Sequence, residues 1–160
     1  MRHDLHLLLV EDEAPKRGHI ERLVRDVMPH ARISTARSVN SALDILECER
    51  VGFLLLDMSL PTFDIGDRES GGRPQGFGGI EVLRHMTMAG IVCPTLIITG
   101  YEGFKTESGT TVDLARLRSE LDDEFRPLLR GVLHYNSTYD EWKHALREAL
   151  TNADLDDGCL

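Results

Sequence analysis

The chain has 160 residues, 41% of them hydrophobic and 28% charged, with a formal net charge of −9. That length and balance describe one globular domain with a sizeable core. The acidic excess argues against direct contact with a nucleic-acid backbone or an anionic membrane, and no run approaches the roughly 20 apolar residues that span a bilayer.

Leu5 to Val10 reads as a first strand, ending in Glu11-Asp12-Glu13. Pro15 suits the first turn of a helix whose acidic N-terminus matches the dipole. Ile20, Leu23, Val24 and Val27 give that helix one apolar face, and Pro29 stops it. Ala31 to Thr35 is a second strand. Ser38 caps a second helix carrying Val39, Ala42, Leu43 and Leu46. Phe53 to Leu56 is a continuous apolar strand that ends abruptly at Asp57, and Pro61 forbids its continuation.

From Thr62 to about Gly79 the chain is rich in Gly, Asp and Arg, and too long for an ordinary βα connection of about 2–6 residues. A lid or partner-recognition loop is the expectation, with the glycines read as turns or points of mobility. Ile80, Val82, Leu83 and Met86 restart a helix, which Gly90 ends. Thr95 to Thr99 is the fourth strand, and a second long connection runs from Tyr101 to about Thr111. Val112 to Leu129 shows helical periodicity through Leu114, Leu117, Leu121, Phe125 and Leu128, with Pro127 ending or bending it. Gly131 to Tyr135 is the fifth strand. Tyr139 to Leu150 is the last helix, with Trp142, Ala145 and Leu146 inward. Residues 151–160 form an acidic tail, expected to be loose. Residues 1–150 thus make one domain with insertions at about 62–78 and 101–111. Five strands alternating with five helical segments predict an α/β fold, a parallel sheet with helices on both faces.

All strands of such a sheet end on one edge, so Glu11, Asp12, Asp57, Thr99, Tyr135 and Asn136 converge there. Each acid alone would serve as a helix N-cap; their coincidence on one edge favours a site. A like-charge carboxylate pair at about 4 Å costs about 4 kcal/mol at an effective dielectric near 20. A raised pKa or a bound hard cation relieves it, and oxygen-only ligation with an open face suits Mg2+. A carboxylate beside Mg2+ is a competent nucleophile for phosphoryl transfer, and the Thr99 hydroxyl can bond a phosphoryl oxygen.

Leu7–Glu13, Leu54–Pro61, Gly79–Leu83 and Leu96–Gly100, in this order, resemble the successive signatures of receiver domains of bacterial two-component response regulators. The resemblance implies a flavodoxin-like sheet with strand order 2-1-3-4-5. It implies that Glu11, Asp12, Asp57 and the backbone carbonyl of Ser59 hold Mg2+. Asp57 would accept a phosphoryl group from a histidine kinase or phosphotransfer protein, Thr99 would move to bind it, and Tyr135 would stand where the family keeps a switch aromatic. The chain would then be a stand-alone cytoplasmic receiver that is not an enzyme beyond slow self-dephosphorylation. It would switch a surface on its fourth and fifth helices for a downstream protein or for homodimerisation.

One family feature is missing. A lysine followed by proline after the fifth strand pairs with the phosphoryl group in the family; here the segment reads Leu133-His134-Tyr135-Asn136-Ser137-Thr138, with Asn136 at the lysine's position. The chain's lysines are Lys16, Lys105 and Lys143, none near it in sequence. An amide cannot neutralise charge, so Lys105, Arg68 or Arg73 would have to compensate from a distance. The missing lysine also motivates a second reading, a pseudo-receiver that acts as a protein-interaction module without phosphorylation. A metal-dependent hydrolase is disfavoured because Met58-Ser59 leaves no carboxylate two residues after Asp57. A dinucleotide enzyme is disfavoured because acids stand where glycines would be needed. The three cysteines, Cys48, Cys93 and Cys159, lack metal-ligand spacing and fit a reducing compartment.

Overall fold

The computed structural model describes residues 5–64, 78–100, 103–105, 111–136, 138 and 140–157, with the backbone alone for 103–105, 111–114 and 154–157. β1 (His6–Val10), β2 (Arg32–Ala36), β3 (Phe53–Leu56), β4 (Thr95–Thr99) and β7 (Leu129–His134) form one sheet in the order β2-β1-β3-β4-β7. Every neighbour is parallel, with Val10 beside Leu56, Leu56 beside Ile97 and Thr99 beside His134. Counting only strands of this sheet, the order is the expected 2-1-3-4-5.

The apolar runs lack polar alternation because both faces of the sheet are covered. Leu8, Val10, Leu54, Leu56 and Ile97 pack against α2 (Val39–Cys48), α3 (Gly78–Ala89) and α4 (Leu114–Phe125). Leu7, Leu9, Phe53, Leu55, Leu96 and Ile98 face the other way, against α1 (Ala14–Val27) and α5 (Glu141–Asp157). Trp142 is inward, as the helical spacing requires, and 3% exposed.

The helix ends follow local chemistry. Ser38 caps α2 by accepting from the Ser41 N–H, and Ser41 returns the bond in a capping box. Gly90 ends α3 at φ 72°, where the Ile91 N–H reaches back to the Met86 carbonyl.

Several boundaries differ from the sequence reading: β2 is Arg32–Ala36 rather than 31–35, α4 begins at Leu114 rather than Val112, β7 is Leu129–His134 rather than 131–135, and α5 begins at Glu141 rather than 139. α4 stops at Phe125 rather than reaching Leu129, because Pro127 disfavours helix at the residue before it; Leu129 opens β7 instead. α5 runs seven residues beyond the expected end, through Asp157, and Ala149 and Ala153 continue its apolar face. Part of the 101–111 connection is ordered as an antiparallel ribbon, β5 (Gly103–Lys105) with β6 (Thr111–Asp113).

Candidate functional site

The site lies at the carboxyl edge of the sheet, where two further backbone bonds extend the ladders by one residue. The Glu11 N–H donates to the Ala36 carbonyl at 3.0 Å and the Asp57 N–H to the Val10 carbonyl at 3.0 Å. Both acids are therefore held by the sheet itself rather than by a loop. Arg17 braces the acidic turn from α1, donating to the carbonyl of Glu11 at 3.0 Å.

Glu11, Asp12 and Asp57 converge as the sequence predicted, each offering a carboxylate oxygen within 4.8 Å of the others. Glu11 and Asp57 are buried and Asp12 is half-buried, so the cluster has one side toward solvent. Ser59 follows in the same buried turn. Thr99 is fully buried at the end of β4.

The sequence reading missed the residue at the centre of the site. Lys16, in the first turn of α1, is 3% exposed. Its ammonium donates to Asp57 Oδ1 at 2.9 Å and to the Ile98 carbonyl at 2.8 Å, and lies 2.7 Å from Glu11 Oε2. No lysine stands near the end of the fifth strand in sequence, yet one stands on Asp57 in space. The signal was present: Lys16 shares one helical stripe with Ile20, Leu23 and Val24, all buried. A lysine on the core face of a helix, three residues after the run of acids that follows a strand, has its tip in that strand's crevice.

Arg68 and Arg73 lie outside the described residues, as do residues 65–77 of the first insertion and Tyr101, and the side chain of Lys105 is likewise not described. Lys143 pairs with Asp140 at 3.2 Å and lies over the Trp142 ring. The Asn136 side chain accepts from the Thr138 N–H at 2.8 Å, and it lines a separate cleft with Arg118, His134, Glu141 and Trp142. Tyr135 is half-buried between the two regions. Its N–H donates to the Thr99 carbonyl at 2.8 Å, its ring centroid is 5.7 Å from the Lys16 ammonium, and its hydroxyl bonds His19 Nδ1 at 2.7 Å.

The electrostatics follow from this packing. Burial and the Asp57 carboxylate push Glu11 up to about 8, with Lys16 pulling the other way. Burial also raises Asp57; Lys16 opposes the shift and Asp12 adds to it. Burial works against the Lys16 ammonium, but Asp57 and Glu11 outweigh it and hold its pKa above the usual lysine value. Three carboxylates against one ammonium leave two negative charges unmatched when all are ionised. Glu11 Oε2 is buried, and the Lys16 ammonium 2.7 Å away is its ion-pair partner. Hard oxygen donors, a double negative excess and a partly open side fit one Mg2+ ion.

Gly78 and Gly79 shape the floor of the site. A Cβ on Gly79 would lie 2.5 Å from the Asp57 carbonyl oxygen and 3.1 Å from Met58 Cα, while the Gly79 N–H donates to the Met58 carbonyl at 3.0 Å. These glycines let the start of α3 press on the turn after β3. For them, turn or mobility was an incomplete reading.

No family model matches the chain. It is similar to the uncharacterized protein y4jR of Sinorhizobium fredii, 25% identical over 92% of this chain and 97% of that protein. It is also similar to the Detocs response regulatory protein DtcB of Enterobacter cloacae, 22% identical over 92% of this chain and 99% of that protein. Among solved structures, a CheY-like response regulator receiver domain of Methanospirillum hungatei superposes with a TM-score of 0.64 at 14% identity, covering 98% of each chain. The response regulator TrrA of Thermotoga maritima, solved with Mg2+ and BeF, gives a TM-score of 0.61 at 17% identity over 93% of this chain and 98% of that one. The chain has the CheY-like fold of response-regulator receiver domains.

Proposed function

We propose that the chain is a phosphoryl-accepting receiver in two-component signalling, with Asp57 as the acceptor. The observation that carries this reading is the convergence of Glu11, Asp12 and Asp57 around a buried strand end. Glu11, Asp12, Asp57 and the Ser59 carbonyl would hold Mg2+, which when bound draws charge from the phosphoryl oxygens. The sheet fixes the Asp57 backbone, so its carboxylate meets a phosphoryl donor without reorganising. Burial keeps competing water from most of the site, and the Thr99 hydroxyl, at the end of the neighbouring strand, would bond a phosphoryl oxygen. The donor would be a histidine kinase or phosphotransfer protein and the setting the cytoplasm. The output would be a changed surface on α4 and α5 for a protein partner or a second copy. Among the described residues no helix is long and apolar enough to cross a membrane.

The test is incubation with Mg2+ and acetyl phosphate, followed by intact-mass measurement. The expected outcome is a base-labile phosphoryl adduct on the wild type and none on Asp57→Asn. A second reading, the phosphorylation-independent interaction module, is favoured by the internal ion pair that already partly neutralises Asp57. It predicts no adduct on either protein. Steady phosphate release from unrelated esters would point to a hydrolase instead.

A further inference from the structure

We propose that Lys16, reaching from the first turn of α1, is the cation that binds the phosphoryl group on Asp57. This rests on the receiver reading above and assigns a role that the sequence left to Asn136 or to distant loop cations.

The geometry supports it on three counts. Among the described residues, Lys16 is the cation in direct contact with the Asp57 carboxylate, at 2.9 Å. Its second bond, to the Ile98 carbonyl, places the ammonium toward β4, next to Thr99. Lys16 contacts Glu11 and Asp57 but makes no bond to Asp12 among the described residues, so one of the three carboxylates of the cluster is left to a metal ion alone. The ammonium has three donors, and those now spent on Asp57 and Glu11 can turn to phosphoryl oxygens without the side chain leaving the pocket. Meanwhile the Asn136 oxygen serves a turn, as its bond to the Thr138 N–H records.

In the transfer, one carboxylate oxygen of Asp57 attacks phosphorus and forms the new P–O bond. The bond from phosphorus to the donor atom breaks, and its electron pair leaves with the donor: acetate from acetyl phosphate, or the imidazole from a phosphohistidine. Lys16 neither gains nor loses a proton in this step. It offsets the charge that accumulates on the phosphoryl oxygens, as preorganised donors do at developing anions.

The experiment compares the wild type with Lys16→Met, Lys16→Gln and Lys105→Ala, each checked for folding by circular dichroism. Adduct formation from acetyl phosphate, retention of beryllofluoride, and Mn2+ affinity by electron paramagnetic resonance are measured for each. Lys16→Met and Lys16→Gln should form adduct slower by on the order of a hundredfold and lose beryllofluoride. They should bind Mn2+ at least as tightly as the wild type, because a competing positive charge is gone. Lys105→Ala should behave as wild type. The glutamine variant keeps an uncharged hydrogen-bond donor, one atom shorter, should the methionine variant fail to fold. Wild-type rates in both Lys16 variants would overturn the assignment while leaving the receiver reading intact. So would Mn2+ bound by the Lys16 variants and not by the wild type, since the ammonium would then be standing in for the metal. If the wild type binds Mn2+ but takes no phosphoryl group, the receiver reading fails and the role of Lys16 fails with it.

Discussion

The two flanks of Asp57 were built differently. On the β1 side, Glu11 and Asp12 follow directly from a strand, and their position in sequence is their position in space. On the β7 side, the strand end offers Tyr135 and Asn136, and the amide is bound to its own turn. The positive charge arrives from α1 instead, across 41 residues of sequence from Asp57. Carboxylates at strand ends are held by ladder bonds and have little freedom to be elsewhere. A lysine has a four-carbon stem, and its charge can enter one pocket from several elements.

That contrast can be broken by substitution. After the Asp57 and Lys16 variants, the largest effect belongs to Gly79→Ala. The added methyl would meet the Asp57 carbonyl at 2.5 Å, so urea unfolding should show a loss of about 1–3 kcal/mol. The shift of Asp57 should also slow adduct formation, and an unchanged rate would separate the floor from the acceptor. A smaller effect is expected for Tyr135→Phe, which removes the bond to His19 and keeps the ring over Lys16. Burial and the nearby Glu13 carboxylate raise the Tyr135 pKa above the usual tyrosine range, Lys16 opposing. The folded state therefore holds that proton after the unfolded chain has lost it. This contribution to stability is complete below about pH 10 and disappears as pH rises through the folded pKa. Titration followed at 295 nm should lose one tyrosine step, lying above the usual tyrosine range, in the variant. The smallest effect is Asn136→Ala. If the flank is as separate as its bonding indicates, stability should fall by less than about 1 kcal/mol and adduct formation should not change. A tenfold slower transfer would return Asn136 to the pocket.

The sheet was legible because each strand is a continuous apolar run with a polar or glycine boundary, and the helix faces because Ile20, Leu23 and Val24, or Ala42 and Leu46, repeat at helical spacing. The acid cluster followed from topology alone. What escaped was short or non-local. Strands of three residues, as in Gly103–Lys105 with Thr111–Asp113, are too brief for alternation to declare itself. The end of α5 was placed early because acidic residues mask the apolar positions that continue it. Lys16 was passed over because a lysine is almost never buried, and that expectation outweighed its place on the stripe.

The contact between Gly78 and Leu60 bears on how long the chain between Thr62 and Gly78 can be. A Cβ on Gly78 would collide with the Leu60 carbonyl, so the start of α3 touches the last residue of the turn after Asp57. Pro61 and Thr62 are in turn tied to the first residues of α2 through bonds from Val39 and Asn40 of 2.9 and 3.0 Å. The excursion between Thr62 and Gly78 therefore leaves and re-enters the domain through a closed neck. For a flexible segment, doubling or halving the length changes the closure cost by only about 0.6 kcal/mol. The neck uncouples that length from the geometry around Asp57: the intervening chain can be lengthened, shortened or rewritten while the acceptor stays where the sheet put it.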